Sequence, residues 1–150
     1  MGRIDKENYY LDIAQTVAGR STCLRRCYGA ILVKSDEIIS TGYNGAPRGR
    51  RNCVDLNYCT REALNIPSGE RYELCRSVHA EANAITKLAK SANNGDGATL
   101  YITAAPCIEC AKLIIQAGIK RVVYCDDYHS DDGILLLKRI GIEVTQVELA

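Results

Sequence analysis

Apolar positions along the chain recur first with helical spacing, then with the alternation of strands, and then lose their period before a regular second half begins. From Asp5 to about Ala18, the residues Tyr9, Tyr10, Ile13, Ala14 and Val17 form one helical stripe, with Asp5 placed to cap it. Residues 28–33 (YGAILV) and 37–43 (EIISTGY) read as strands around the turn KSDE, which makes a hairpin. Residues 44–76 break the pattern. They are rich in Gly, Pro, Arg and Cys and too long for an idle connection, so a functional or metal-braced insertion is expected. Regularity returns with a helix near 79–91, a strand at 99–104 (TLYITA) and a helix near 107–117. A strand at 121–125 (RVVYC), a helix at 131–140 and a closing strand at 142–149 (IEVTQVEL) complete the chain. Alternating strands and helices predict an α/β fold whose mostly parallel sheet carries helices on its faces.

The chain has 150 residues, which fits one domain over 1–150 with a core of its own. Hydrophobic content of 47% and charged content of 25% are ordinary for a globular protein. A net charge of +1 excludes a polyanion-binding surface built from bulk charge, so nucleic acid is not an expected partner. The opening MGRIDKENYY lacks the apolar segment of an export signal and has Lys6 where myristoylation needs Ser or Thr. No apolar stretch approaches the length of a membrane span. The expectation is a cytoplasmic protein with no membrane partner. Eight cysteines then do not read as disulfides, and metal binding or catalysis accounts for at least some of them. Cys125 reads as a small core residue.

Two stretches carry chemistry. SVHAEANAI (77–85) sets His79 two places before Glu81, which alone could be an ordinary helix start. PCIEC (106–110) follows a strand and opens a helix, so Cys107 and Cys110 share one face. Such a pair fits zinc, a redox dithiol or chance spacing. The surroundings do not resemble a thioredoxin-type site, Pro106 suits the first turn of a helix, and the helix N-terminus favours thiolates. With His79 the pair supplies three ligands to Zn²⁺, leaving a fourth position for water that the metal helps to ionise. Glu81 is then a proton carrier and not a ligand. On an ideal helix positions 79 and 81 point nearly opposite ways, so both reach one metal only beyond the helix's N-terminal end. Two helix starts facing one ion are therefore expected.

The combination HAE…PCIEC resembles the signature of zinc-dependent cytidine/deoxycytidylate deaminases. STCLRR (21–26), GYNGAPRG (42–49), ELCRSVHAEANAI and AKLIIQAGIKRVVYCDDYH extend a resemblance to the deoxycytidylate deaminase family over nearly the whole chain. That resemblance implies a three-layer α-β-α sandwich with a five-stranded mixed sheet, its N-terminal hairpin antiparallel. It implies hydrolysis of dCMP to dUMP and ammonia: attack at C4 of cytosine, with Glu81 protonating N3 and then the departing amine. Asn44 would contact the nucleotide sugar, although a plain turn residue is an alternative there. The backbone around Ala80 and Ala104–Ala105 would hold the base edge, and Tyr128 would touch sugar or phosphate. Arg26 and Arg76 are local cations for a monophosphate, while His129 reads as a solvated loop residue.

Cys23, Cys53, Cys59 and Cys75 frame the insertion and could close a second, structural zinc site, with Cys27 a possible substitute. Scattered core thiols are the alternative. Cys27 also stands where the family usually has a polar residue. The family further implies a homo-hexamer controlled by nucleoside triphosphates, dCTP activating and dTTP inhibiting. The triphosphate and its Mg²⁺ would bind at Gly42, Asn44, Gly45, Arg48, Gly49 and Arg50. Two other functions stay open: a tRNA adenosine deaminase, which usually presents a basic patch, and a non-catalytic zinc-braced interaction module with no need of Glu81.

Overall fold

Helix α1 (Lys6–Ala18) begins where Asp5 accepts a hydrogen bond from the backbone N–H of Asn8 at 2.9 Å, as expected of its N-cap. In the computed structural model, which describes residues 2–67 and 69–149, the buried face of α1 is Tyr10, Leu11, Ala14 and Ala18. Tyr9 is exposed, which corrects the predicted stripe. The small Ala14 and Ala18 lie against the sheet, and the ridge three and four residues back from Ala14 runs through Leu11 and Tyr10.

Strands β1 (Gly29–Lys34) and β2 (Glu37–Tyr43) form the hairpin. Ser35 and Asp36, both at positive φ (53° and 60°), make its two-residue turn. After β2 the described residues of the insertion hold two four-residue helices, α2 (Cys53–Leu56) and α3 (Thr60–Ala63), and a 3₁₀ turn at Tyr72–Leu74. Among its described residues between 46 and 76, only Cys53 and Arg61 are buried. Its two ends are tied together by a bridge: Val78 N–H donates to Gly45 O at 2.7 Å and Gly45 N–H to Val78 O at 3.2 Å. Then follow α4 (Ala80–Ala89), β3 (Thr99–Ala104), α5 (Ile108–Gln116), β4 (Arg121–Asp126), α6 (Asp132–Ile140) and β5 (Glu143–Gln146). The closing strand is shorter than the predicted 142–149, lying at the sheet's edge with a single neighbour, β4.

The sheet order is β2-β1-β3-β4-β5. Strand β1 is antiparallel to both β2 and β3, whereas β3–β4 and β4–β5 are parallel. Half of the pairings are therefore antiparallel, because the hairpin enters the sheet through β1: the sheet is the five-stranded mixed one that the resemblance implies, and less parallel than the alternation of elements alone predicts. Alternate residues of the strands feed two cores. On one face Tyr10 and Leu11 pack on Ile31, Val33, Tyr101 and Val123. On the other, α4, α5 and α6 cover Leu32, Leu100, Ile102 and Val122. The result is the expected three-layer α-β-α arrangement. No helix among the described residues is long and apolar enough to cross a membrane.

Candidate active site and metal centre

His79 is the N-cap of α4, with extended backbone (φ −66°, ψ 154°), so its side chain leaves the helix instead of following its spiral. Glu81 sits two residues into the first turn and is only 5% exposed. This resolves the conflict that an ideal helix would set up between positions 79 and 81. Cys107 is in turn the N-cap of α5 (φ −73°, ψ 169°), and its sulfur accepts from Cys110 N–H at 3.5 Å. Pro106 therefore precedes the cap and does not occupy the first turn, which begins at Ile108.

Close backbone packing fixes both helix starts. A Cβ added to Gly42 at the end of β2 would lie 2.3 Å from Ala80 O, so β2 can touch the first turn of α4 only through a glycine. A Cβ on Gly133 would lie 2.3 Å from Pro106 O, so α6 likewise leans directly on the loop that carries Cys107.

The three donor atoms converge. His79 Nδ1 lies 3.5 Å from Cys107 Sγ and 3.4 Å from Cys110 Sγ, and all three atoms are within 4.8 Å of one another. Tetrahedral zinc with ordinary Zn–N and Zn–S lengths needs nitrogen–sulfur edges of about 3.5 Å, so the set fits that ion. The Tyr72 ring and the His79 imidazole form a T-shaped contact, with centroids 4.7 Å apart.

The electrostatics of the group are tightly linked. A hydrogen bond from Cys110, helped by His79, pushes Cys107 down to about 4, and the same hydrogen bond with burial pushes Cys110 up. A divalent cation at this site would favour both thiols as thiolates and release their protons. Burial opposes charge on His79, but its hydrogen bond to Cys107 and the nearby Glu81 carboxylate shift it upward on balance. Burial raises Glu81 to about 7, against the pull of His79. A carboxyl with that value can both take and give a proton near neutrality.

A cleft opens over this group, and Asn44, Arg26, Arg76 and Tyr128 lie on its wall. Asn44 is buried: Oδ1 accepts from Ser21 Oγ at 2.5 Å and Tyr28 N–H at 2.9 Å, and Nδ2 donates to Arg26 O at 2.8 Å. It clamps the 21–28 loop. Of the backbone expected to hold a base, Ala105 N–H is already given to Asp126 O at 2.9 Å. Ala80 N–H opens α4 and has no partner within the helix. His129 is exposed.

Cys23, Cys53, Cys59 and Cys75 line the same cleft. Burial first, and then the charges of the other three, push the Cys53 thiol upward. Among the described residues, however, only His79, Cys107 and Cys110 bring their donor atoms within 4.8 Å of one another. Cys27 is exposed and Cys125 partly buried, its sulfur 3.0 Å from Thr103 O.

A second cavity of about 650 Å³ lies at the turn after β2, beside Gly42, Gly45, Arg48, Gly49 and Arg50. Asn44, expected at both places, belongs to the first cleft and not to this cavity. The sequence did not point to Lys87 and Lys90, which add two cations from the far side of α4. It also did not point to Arg61 and Tyr72 in the catalytic cleft, which no motif marks.

The family profile for the cytidine and deoxycytidylate deaminase zinc-binding region matches residues 4–126. Deoxycytidylate deaminase of Schizosaccharomyces pombe is 36% identical over 93% of this chain, which spans 43% of that protein's length. Deoxycytidylate deaminase of Enterobacteria phage T4 is 36% identical over 95% of this chain and 90% of its own. The crystal structure of dCMP deaminase from cyanophage S-TIM5 in complex with dCMP and dUMP superposes with a TM-score of 0.80 at 34% identity, covering 97% of this chain and all of that one. The strand order, the paired helix starts and these matches agree: the chain belongs to the cytidine and deoxycytidylate deaminase zinc-binding family.

Proposed function

We propose that this protein is a zinc-dependent deaminase that hydrolyses dCMP to dUMP and ammonia. The observation that carries the reading is the buried Glu81 carboxyl beside three converging zinc donors, His79, Cys107 and Cys110. Relatives named deoxycytidylate deaminases, one of them seen with dCMP and dUMP, support the choice of substrate. Zinc at the three donors would supply a Lewis acid and an activated water. Glu81 takes one proton from water and delivers it to N3 of the cytosine ring as the water oxygen bonds to C4; it then takes the remaining proton of that oxygen and hands it to the amine, which leaves C4 as ammonia while the C4 carbonyl of uracil forms. The base edge lies along Ala80 and Ala104, with Tyr128 over the sugar and Arg26 and Arg76 at the mouth of the cleft. Asn44 supports this wall by holding the 21–28 loop.

The same reading gives Cys23, Cys53, Cys59 and Cys75 a second zinc that braces the insertion. It assigns the cavity beside Arg48, Arg50, Lys87 and Lys90 to a triphosphate with Mg²⁺, with dCTP activating and dTTP inhibiting. A homo-hexamer in the cytoplasm is the corresponding assembly, and eight free thiols suit that reducing compartment. A substrate panel tests the reading: dCMP, CMP, cytidine, dCTP and a tRNA anticodon stem, each with and without dCTP and dTTP. Turnover of dCMP well above the others is expected. A preference for the tRNA stem, or no turnover of dCMP, contradicts it.

A further inference from the structure

Arg61 is the buried charge of the insertion. It is 7% exposed, lies on the four-residue α3 and lines the catalytic cleft. Its contacts are poor for such a group. One terminal nitrogen donates to Pro67 O over 3.4 Å, the guanidinium carbon sits 4.8 Å from the centre of the Tyr72 ring, and the buried Nε has no partner.

Among the described residues no carboxylate pairs with Arg61, whereas the neighbouring Arg25 is held by Glu62 at 3.2 Å. A cation taken from water without a counter-ion is strongly unfavourable, and guanidinium cannot escape by losing its proton. Tyr72 and one distant carbonyl offset only part of that penalty. The remaining requirement is an anion, and the accessible side is the cleft.

The position selects which anion. The Tyr72 ring carries the Arg61 guanidinium over its face and meets the His79 imidazole in a T-shaped contact, so the guanidinium stands two ring contacts from the metal donors. That separation is of the order of the span of a nucleotide from the base to the 5′-phosphate. The other cations of the cleft differ. Arg26 is exposed and Arg76 partly exposed, so water can solvate both; Arg61 cannot be satisfied that way.

We infer that Arg61 is a substrate-binding residue that takes the 5′-phosphate of a nucleoside monophosphate in the fork of its guanidinium, making this cleft select nucleotides over nucleosides. The inference rests on the nucleotide reading above for the identity of the ligand. The alternative is purely structural: Arg61 as a stacking prop for Tyr72.

The test is binding to the zinc-loaded full chain, measured by calorimetry with dUMP and with deoxyuridine, alongside kcat/KM for dCMP and deoxycytidine. In Arg61→Met, dUMP affinity should fall about a hundredfold while deoxyuridine affinity stays within about twofold of wild type. Arg61→Lys keeps the cation without the fork and should lose about tenfold for dUMP alone. A structural prop would weaken dUMP and deoxyuridine by the same factor in both variants, and that result overturns the inference; so does an unchanged dUMP affinity. Wild-type turnover of dCMP without any preference for dUMP over deoxyuridine would leave the proposed activity standing and remove Arg61 from it. Wild-type binding of dUMP without turnover would do the reverse if Arg61→Met still abolished the preference.

Discussion

Two groups of thiols border one cleft, and they are held in opposite ways. Cys107 and Cys110 lie at the start of α5, a helix packed between α4 and α6, and meet His79 at the start of α4, which is seated on β1 and β2. Glycine contacts at Gly42 and Gly133 press both starts into place, and the three donor atoms stand within 4.8 Å of one another. Cys23, Cys53, Cys59 and Cys75 are carried by loop and by helices of four residues, too short to be stable alone. Of the insertion's described residues between 46 and 76, Cys53 and Arg61 alone are buried. The comparison teaches that a layered scaffold brings metal donors together before any ion arrives, whereas the second site proposed for the insertion would have to be completed by its ion.

The sharpest way to break the comparison is to remove a donor from the preorganised group. Cys110→Ala or His79→Ala should abolish turnover and release the zinc of that site, read by metal analysis, while the three-layer fold survives in circular dichroism. Loss of the fold with the metal would mean that this group, too, depends on its ion.

Gly133→Ala attacks the scaffold itself. The added methyl would meet backbone at Pro106, which cannot swing aside, so a loss of about 1–3 kcal/mol is expected. Urea denaturation should show it, together with weaker zinc retention at Cys107. An unchanged midpoint would mean that α6 does not hold the loop in place.

Cys53→Ser addresses the insertion. Zinc should fall from two ions per chain to one, proteolysis should begin within 44–76, and the catalytic zinc should remain. One ion per chain in fully loaded wild type would remove the second site from the account.

The chelated protein offers a pH test of Glu81. Its folded value is raised from the usual 4.5 to about 7, so its contribution to stability is full below 4.5 and is lost as pH rises through 7. Glu81→Gln lacks that loss. The urea midpoint of wild type should therefore drop relative to the variant between pH 4.5 and neutrality, and a constant difference would deny the burial effect. The smallest change concerns control: Arg48→Ala or Lys87→Ala should blunt dCTP activation of dCMP turnover while maximal turnover stays within about twofold, since a ligand shifts activity only by preferring one state.

What the sequence revealed follows the same division. His79, Glu81, Cys107 and Cys110 were readable because a strand-then-helix pattern surrounds them and short-range spacing fixes their directions. Even the end-on geometry followed from the conflict between positions 79 and 81. The face of α1 was misread by one residue, since Tyr9 and Leu11 are both apolar and the sheet decides which turns inward. Arg61 carried no signal: an arginine in an aperiodic stretch looks solvated until its neighbours bury it. Lys87 and Lys90 face the turn at Arg48 across some forty residues of chain, a proximity that no local pattern encodes.

The central claim is that Glu81 moves the protons at a zinc held by His79, Cys107 and Cys110, and Glu81→Gln tests it most directly. Turnover of dCMP and zinc content would be measured on the same sample. The account predicts full zinc and a native fold with turnover reduced at least about a hundredfold. Full zinc with near-normal turnover would contradict it.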